Sequence, residues 1–448
     1  MPPHPIAMVL ICGLLVSGCA IQPEPLTAED LSVFAADKQA RVTAEQEPLA
    51  GQLTLDEAMA RALKYNLDKE VEVMHAIVAE QQLRVAHFSL LPGAVSNAGY
   101  ADRSNYSGGS SVQIIGPREL GSQSLTSSTS SELQVKTADI KFSWHILDFG
   151  LSYIRARQAA DEVLIAEETQ RRVIARMLEN VRTAYWRAVS STRLSRRLKS
   201  METRVASALA DSRSLEQSGR ASPLTALTYE RELVEIQREL RKLAGELSSA
   251  KAQLAALANL DPGQPYEIAM PSHYREPKNV GMSVSGMIVT ALENRSELRE
   301  VAYRKRINAH DAEAAILKML PGISFDASPA WNSNTFLYNS NWVAWGAQAS
   351  WNLINVFSYP ERRAEVEAKD ALLDARALAV TMAVMTQVHV GRARLYHARR
   401  NYATAERYYN VQQRILRHIR SSLDGGKVSE QTAIREEMNT LVAMVKRD

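Results

Sequence analysis

The chain has 448 residues, 46% of them hydrophobic, and a formal net charge of +3 from 53 Lys and Arg against 50 Asp and Glu. Such a length can bury a large core, and so small a net charge excludes a strongly electropositive nucleic-acid binder as the default. Two cysteines provide no disulfide framework, and no low-complexity tract divides the chain.

The longest uninterrupted apolar segment runs from Ile6 to Val16. It is too short for a bilayer-spanning helix of about 20 residues, so no transmembrane helix is expected. The segment closes in Val16-Ser17-Gly18-Cys19, and a short apolar run ended by small residues has the form of a secretory signal peptide. Small residues before a cysteine let the backbone enter a peptidase cleft, and Val-Ser-Gly-Cys resembles the bacterial lipobox. Residues 1–18 then read as a lipoprotein signal peptide and 19–52 as an N-terminal segment lipidated at Cys19. The residue after it, Ala20 in place of Asp, favours sorting to the outer membrane. The stretch Met1 to Met8 departs from a usual signal in having no Lys or Arg.

The remainder of the chain is organised by an internal duplication. Leu91-Pro92-Gly93 recurs as Leu320-Pro321-Gly322, an offset of 321 − 92 = 229 that holds without gaps from Ala62-Leu63 and Ala291-Leu292. Further along, Ser143-Trp144 recurs as Ser350-Trp351 at 351 − 144 = 207, and Gly219-Arg220-Ala221-Ser222 as Gly426-Lys427-Val428-Ser429. The 22-residue difference falls in the Ser- and Gly-rich stretch from Arg103 to Glu132, whose counterpart is Asn332 to Asn341. Both read as exposed loops. The first repeat spans residues 53–261, a linker 262–281, and the second repeat 282–448.

Leu55 to Phe88 carries apolar residues three and four apart and reads as a helix stopped by Leu91-Pro92-Gly93. The period then becomes two: Ile140, Phe142, Trp144 and Ile146 alternate with polar residues, as do Val343, Trp345, Ala347, Ala349, Trp351 and Leu353 with Ala344, Gly346, Gln348, Ser350 and Asn352. These are strands with one apolar face, each paired across its loop with a weaker strand, Ala94 to Ala101 or Ile323 to Trp331. Leu151 to Ser218 contains neither Gly nor Pro, enough for a helix on the order of 100 Å long, and Glu361 to Asp424 contains only Gly391. Leu194, Leu198, Met201, Val205, Ala208, Ser212 and Leu215 step as a coiled-coil seam requires. Gly219 and Gly426 allow turns, after which Leu224 to Leu260 returns as a second long helix.

Four strands per chain cannot close a barrel, and open sheet edges cannot face lipid. Alternating strands that span a membrane therefore require several chains around one pore, with Phe142, Trp144, Trp345 and Trp351 toward lipid and the polar face toward water. The long helices would continue the tube.

Leu53-Thr54-Leu55-Asp56-Glu57-Ala58-Met59-Ala60-Arg61-Ala62-Leu63 resembles the opening of TolC-family outer-membrane factors. Leu90-Leu91-Pro92-Gly93, Trp144-His145-Ile146-Leu147-Asp148-Phe149-Gly150 and Ala255-Ala256-Leu257-Ala258-Asn259-Leu260 are similar to further landmarks of that family, across nearly the whole mature chain. Lipidation at Cys19 makes the chain most similar to the lipoprotein branch that serves multidrug efflux. The resemblance implies a mainly α-helical duplicated fold with a β-barrel part. Four strands from each of three chains would make a twelve-stranded barrel in the outer membrane, continued by a long periplasmic α-helical barrel. It also implies partners in a periplasmic adaptor and an inner-membrane transporter. A type I secretion duct and a non-conducting, lipid-anchored scaffold remain as alternatives.

By the 207 offset Asp448 stands opposite Arg241, so the final helix is expected to fall about twenty residues short of its counterpart ending at Leu260. At the periplasmic tip, the family narrows its pore with side chains beside the glycine turns. The candidates here are Asp424, Glu430 and Arg420 near Gly426, with Lys427, and Arg213 near Gly219, with Glu216 and Arg220. Mixed signs suit salt bridges, though ordinary solvated turns would look the same. Arg187, Arg193 and Arg213 recur as Arg394, Arg400 and Arg420, for which interhelical pairing is the preferred role. No His-Glu-x-x-His, phosphate-binding Gly-rich loop or Gly-x-Ser-x-Gly elbow occurs, so neither an enzyme nor a cofactor is indicated. Met382 and Met385, at helical spacing, read as core.

Overall fold

The computed structural model describes residues 23–44, 46–217, 222–261, 263–271 and 281–448. Cys19 and Gly219 lie outside the described residues. The chain begins with α1 (Ala28–Arg41), closed by a capping box in which Thr27 Oγ1 accepts from the Asp30 N–H and the Asp30 carboxylate accepts from the Thr27 N–H.

The helix expected from Leu55 to Phe88 is two helices, α2 (Leu55–Tyr65) and α3 (Leu67–Phe88). Asn66 breaks it because its backbone is extended, its side-chain oxygen caps Lys69 N–H, and its side-chain amide donates to the Leu257 carbonyl at 3.2 Å. Polar capping competes with helix continuation at such a residue. The second half breaks at Arg295, 229 residues on, between α6 (Val284–Asn294) and α7 (Ser296–Leu317).

Four strands follow the two-residue period. They are β1 (Gly93–Asp102), β6 (Gln134–His145), β7 (Gly322–Asn332) and β8 (Asn341–Ser350), antiparallel in the order β1-β6-β7-β8. The insert before β6 is not loop throughout. There β2 (Gly108–Gly109) pairs with β5 (Ser128–Thr129), and β3 (Val112–Gly116) with β4 (Glu119–Gln123). The β-branched residues Val112, Ile114 and Ile115 supply strand propensity that the surrounding Ser and Gly obscure.

Below the sheet run α4 (Ile146–Gln217) and α5 (Pro223–Leu257), then, after the short α8 (Leu353–Phe357), α9 (Tyr359–Asp424) and α10 (Glu430–Arg447). At 1.5 Å per residue the 72 residues of α4 extend about 108 Å. Its seam is buried as the spacing requires: Leu194, Leu198, Met201, Val205 and Ala208 pack with Leu233 and Leu240 of α5 and with Ile434, Met438 and Leu441 of α10. The first return helix ends at Asn259, a non-glycine residue in the left-handed region at φ 52°, where Leu260 N–H donates to the Ala255 carbonyl.

A second core forms a collar around the middle of α4. Leu53 and Ile268 form a parallel bridge, and both are buried with Ala58, Met177, Val181 and Leu254. Tyr185 Oη donates to the Ala269 carbonyl at 3.0 Å, and burial pushes the Tyr266 phenol up to about 12 while its hydroxyl donates to the Lys251 carbonyl.

α9 departs from expectation. It contains an 18-residue stretch long and apolar enough by composition to cross a membrane, with 6% of it buried. Met382, read as core, is 63% exposed on this helix, because among the described residues no element covers that face.

Leu254 is completely buried in the collar. Leu254→Ala is expected to cost about 2–5 kcal/mol and to lower the melting temperature followed by circular dichroism. An unchanged melting temperature would show that the collar does not stabilise the fold.

Candidate functional site

Strand register sorts the sheet into two faces. Phe142 lies opposite Ala94 on one side and Ala327 on the other, Trp144 opposite Phe325, and Ala327 opposite Trp345. Directly opposed residues project from the same face, so Phe142, Trp144, Phe325 and Trp345 share one. Trp351 follows the last residue of β8 in the same alternation, and its indole N–H donates to the Met319 carbonyl at 2.9 Å. The other face carries Asn97, which donates to Asp139 at 2.9 Å, and Lys141, 3.4 Å from Asp326. Trp342, one residue out of phase with Trp345, is an aromatic on this polar side. The result is an apolar surface backed by a polar one across a single layer of backbone.

Beneath the sheet, α4 and α7 run antiparallel and are joined by buried charges. Arg306 donates from Nε to Asp161 Oδ1 and Oδ2 at 2.9 and 3.0 Å, and Gln158 donates to Asp311 at 2.8 Å. Glu168 accepts from Arg171 on its own helix and lies 3.5 Å from Arg299. Glu300 accepts from Arg172 at 2.9 Å and Arg304 at 3.0 Å. α9 packs on the far side of α7, where Asn308 donates to the Val366 carbonyl and Lys305 reaches Asp374. The sequence alone assigns no role to the pairs between α4 and α7, since their partners lie more than 100 residues apart and carry no local motif.

At the lower end, Gly426 has φ +69° and closes α9 with two bonds, Gly426 N–H to the Leu423 carbonyl and Lys427 N–H to the Ser422 carbonyl. This is a glycine-terminated helix end, and the positive φ is what requires glycine. Arg213 Nε donates to Glu230 at 2.8 Å across the first hairpin, and Arg420 donates to Glu437 at 2.8 Å across the second. Both residues of one pair lie 207 positions from both residues of the other, so the duplication repeats a whole ion pair. Arg204 of α4 also binds Glu437 and lies 3.9 Å from Glu430, tying the second hairpin to the first. Asp424 is exposed at the last residue of α9. The duplicated Arg193 and Arg400 differ: Arg193 is 3.0 Å from Asp448, whereas Arg400 donates to Tyr396 on its own helix.

The two turns are not level. Gln431, two residues past the Ser429 cap of α10, donates at 3.0 Å to Glu232, ten residues past Ser222 at the start of α5. That eight-residue difference sets the second turn back along the first hairpin by about 12 Å.

Burial pushes the Glu300 carboxyl up, but hydrogen bonds from Arg304 and Arg172 outweigh it and hold the group below the usual glutamate range. A carboxyl depressed in the folded state stabilises the fold above its unfolded value and loses that contribution as pH falls through the folded value. Glu300→Gln is therefore expected to lower the melting temperature near pH 7, with the gap to wild type shrinking below about pH 4. A gap that stays constant with pH would contradict this.

No protein-family model matches the sequence, and no curated protein matches it. Solved structures do. The chain is similar to the outer membrane protein VceC of Vibrio cholerae, with a TM-score of 0.62 at 13% identity over 88% of this chain and 91% of that one. It is similar to the CmeC outer membrane channel of Campylobacter jejuni, with a TM-score of 0.61 at 16% identity over 95% and 89%. The open state of the MtrE outer membrane channel of Neisseria gonorrhoeae gives 0.59 at 15% identity over 88% and 86%. The paired strand layer, the long helices hung beneath it and the match along nearly the full length of each channel give this chain the fold of the TolC-like outer-membrane factors.

Proposed function

We propose that the chain is the outer-membrane channel of a tripartite efflux pump, in which three copies close one conduit that exports small toxic compounds. The observation that carries this reading is the open four-stranded sheet with one apolar and one polar face and edges β1 and β8 unpaired among the described residues. β1 and β8 run in opposite directions, so β8 of one copy can pair antiparallel with β1 of the next and continue the ring. Two copies would give eight strands, whose interior side chains fill, whereas three give twelve and leave an aqueous interior. The aromatic face then meets lipid, and Asn97, Asp139, Lys141 and Asp326 line water.

The exposed apolar stretch of α9 supports assembly as well, since among the described residues no element covers the large apolar surface of Leu372, Leu378 and Met382. In this reading the helices form a periplasmic tunnel engaged by an adaptor and an inner-membrane transporter, and lipid on Cys19 anchors the N-terminus. The chain acts as a conduit and not as an enzyme. The tip is held shut by Arg213 with Glu230 and by Arg420 with Glu437, and Asp424 and Glu430 add charge beside the second turn.

Purified protein inserted into planar bilayers is expected to show discrete conductance steps. Persistent silence from well-folded oligomers would overturn the channel reading in favour of a scaffold. Arg420→Glu is expected to raise the closed-state conductance at least about twofold by repelling Glu437, and adding Glu437→Arg to restore it. Altered ion selectivity without greater opening would instead assign Arg420 to conduction.

A further inference from the structure

Among the described residues, one concavity combines size, charge and an apolar floor. It measures about 830 Å³, within the range of small-molecule sites, and lies over α10 between the parallel helices α4 and α9. Arg196, Arg197 and Arg204 line it from α4, and Arg417 and Arg420 from α9; its one acidic lining residue is Glu437. Met201, Leu441 and Met444 form part of the floor, so the guanidinium groups stand over apolar surface that weakens screening by water.

The charge within it does not balance. Glu437 is shared by Arg204 and Arg420, and Glu430 reaches Arg204 only at 3.9 Å. Arg197 Nη1 lies against the Met444 sulfur at 3.2 Å, which offers no negative charge. Arg196 and Arg417 form no ion pair with any described residue. Like charges gathered in one hollow repel, so the arrangement lowers its energy by taking up an anion.

The duplication does not account for this basicity. The 207-residue counterparts of Arg196, Arg197 and Arg204 are Ala403, Thr404 and Val411, and that of Arg417 is Ala210; of the five arginines, Arg420 alone recurs, as Arg213. The scaffold is repeated, while the cluster belongs to one place in it.

We propose that this trough is a binding site for a free multivalent anion carrying several phosphate groups. Arginine forks match phosphate oxygens two at a time. Arg197 and Arg204 are seven residues apart on α4, about 10 Å along the helix, so the site spans a chain of anionic groups and not one ion. The ligand competes with Glu437 for Arg420, the contact across the second hairpin, and for Arg204, the contact that ties that hairpin to the first, so binding is coupled to that clasp.

Titration calorimetry of the full chain purified in detergent, with inorganic tripolyphosphate at low salt, tests this. Binding at one site per chain is expected, weakened by about tenfold or more in Arg196→Ala/Arg417→Ala. Glu437→Gln is expected to tighten it, and the remote surface change Arg238→Ala to leave it unaltered. Both trough arginines are exposed, so the double variant should keep its helical circular dichroism. If it does not, the Glu437→Gln comparison decides the matter alone. Absence of binding by the wild type, equal affinity in the double variant, or no tightening in Glu437→Gln would overturn the proposal.

Discussion

The backbone N–H and C=O groups along the outer edges of β1 and β8 have no partner strand among the described residues. In hydrocarbon each unpaired group costs several kcal/mol, and the only remedies are another strand or removal from lipid. The aromatic face formed by Phe142, Trp144, Phe325 and Trp345 makes removal costly in water as well. Closure by further copies of the same sheet meets both demands. An even number of strands per chain keeps every pairing antiparallel around the ring, and a multiple of four sets the number of copies by the bore required.

That constraint determines how the helices are used. Each strand pair hands its direction to a long helix that begins at the last strand residue or soon after, with α4 starting at Ile146 directly after His145. A wall one helix thick has little core, so lateral contacts must hold it. Near the sheet these are the buried charges between α4 and α7. Around the middle they are the collar of Leu53, Val181, Leu254 and Ile268. Lower down they are the seam from Leu194 to Ala208. Removing Arg306, whose partner Asp161 is buried, leaves an uncompensated carboxylate and costs more than the intact pair contributes, so these ties define register as much as they add stability. At the tip the ion pairs are more exposed and individually weak.

Local periodicity makes the four strands, the seam and the long helices legible in the sequence, because each follows from repeating side chains along a continuous segment. The duplication makes the strand partners legible too. Other features depend on distant partners. At the break, the Asn66 side-chain amide bonds to Leu257, 191 residues away. The collar is hidden because the segment 262–281 reads as a plain linker, although Tyr266 and Ile268 stand on either side of Glu267 at the two-residue spacing of a strand. The end of α5 falls a little before Leu260 because Asn259 takes the left-handed position that a glycine more often fills. Arg213 and Arg420 stand out by repetition, but their partners Glu230 and Glu437 do not, and the arginines of the trough come together only once α4 and α9 lie side by side. Met382 reads as core and is exposed because helical spacing tells which face is apolar and not what covers it.

The central claim is that three copies complete what one chain leaves open. Native mass spectrometry of the purified complex, released from detergent, measures this directly. The account predicts a predominant species of three chains, hence twelve strands. A predominant monomer, or a ring of any other number, would contradict it.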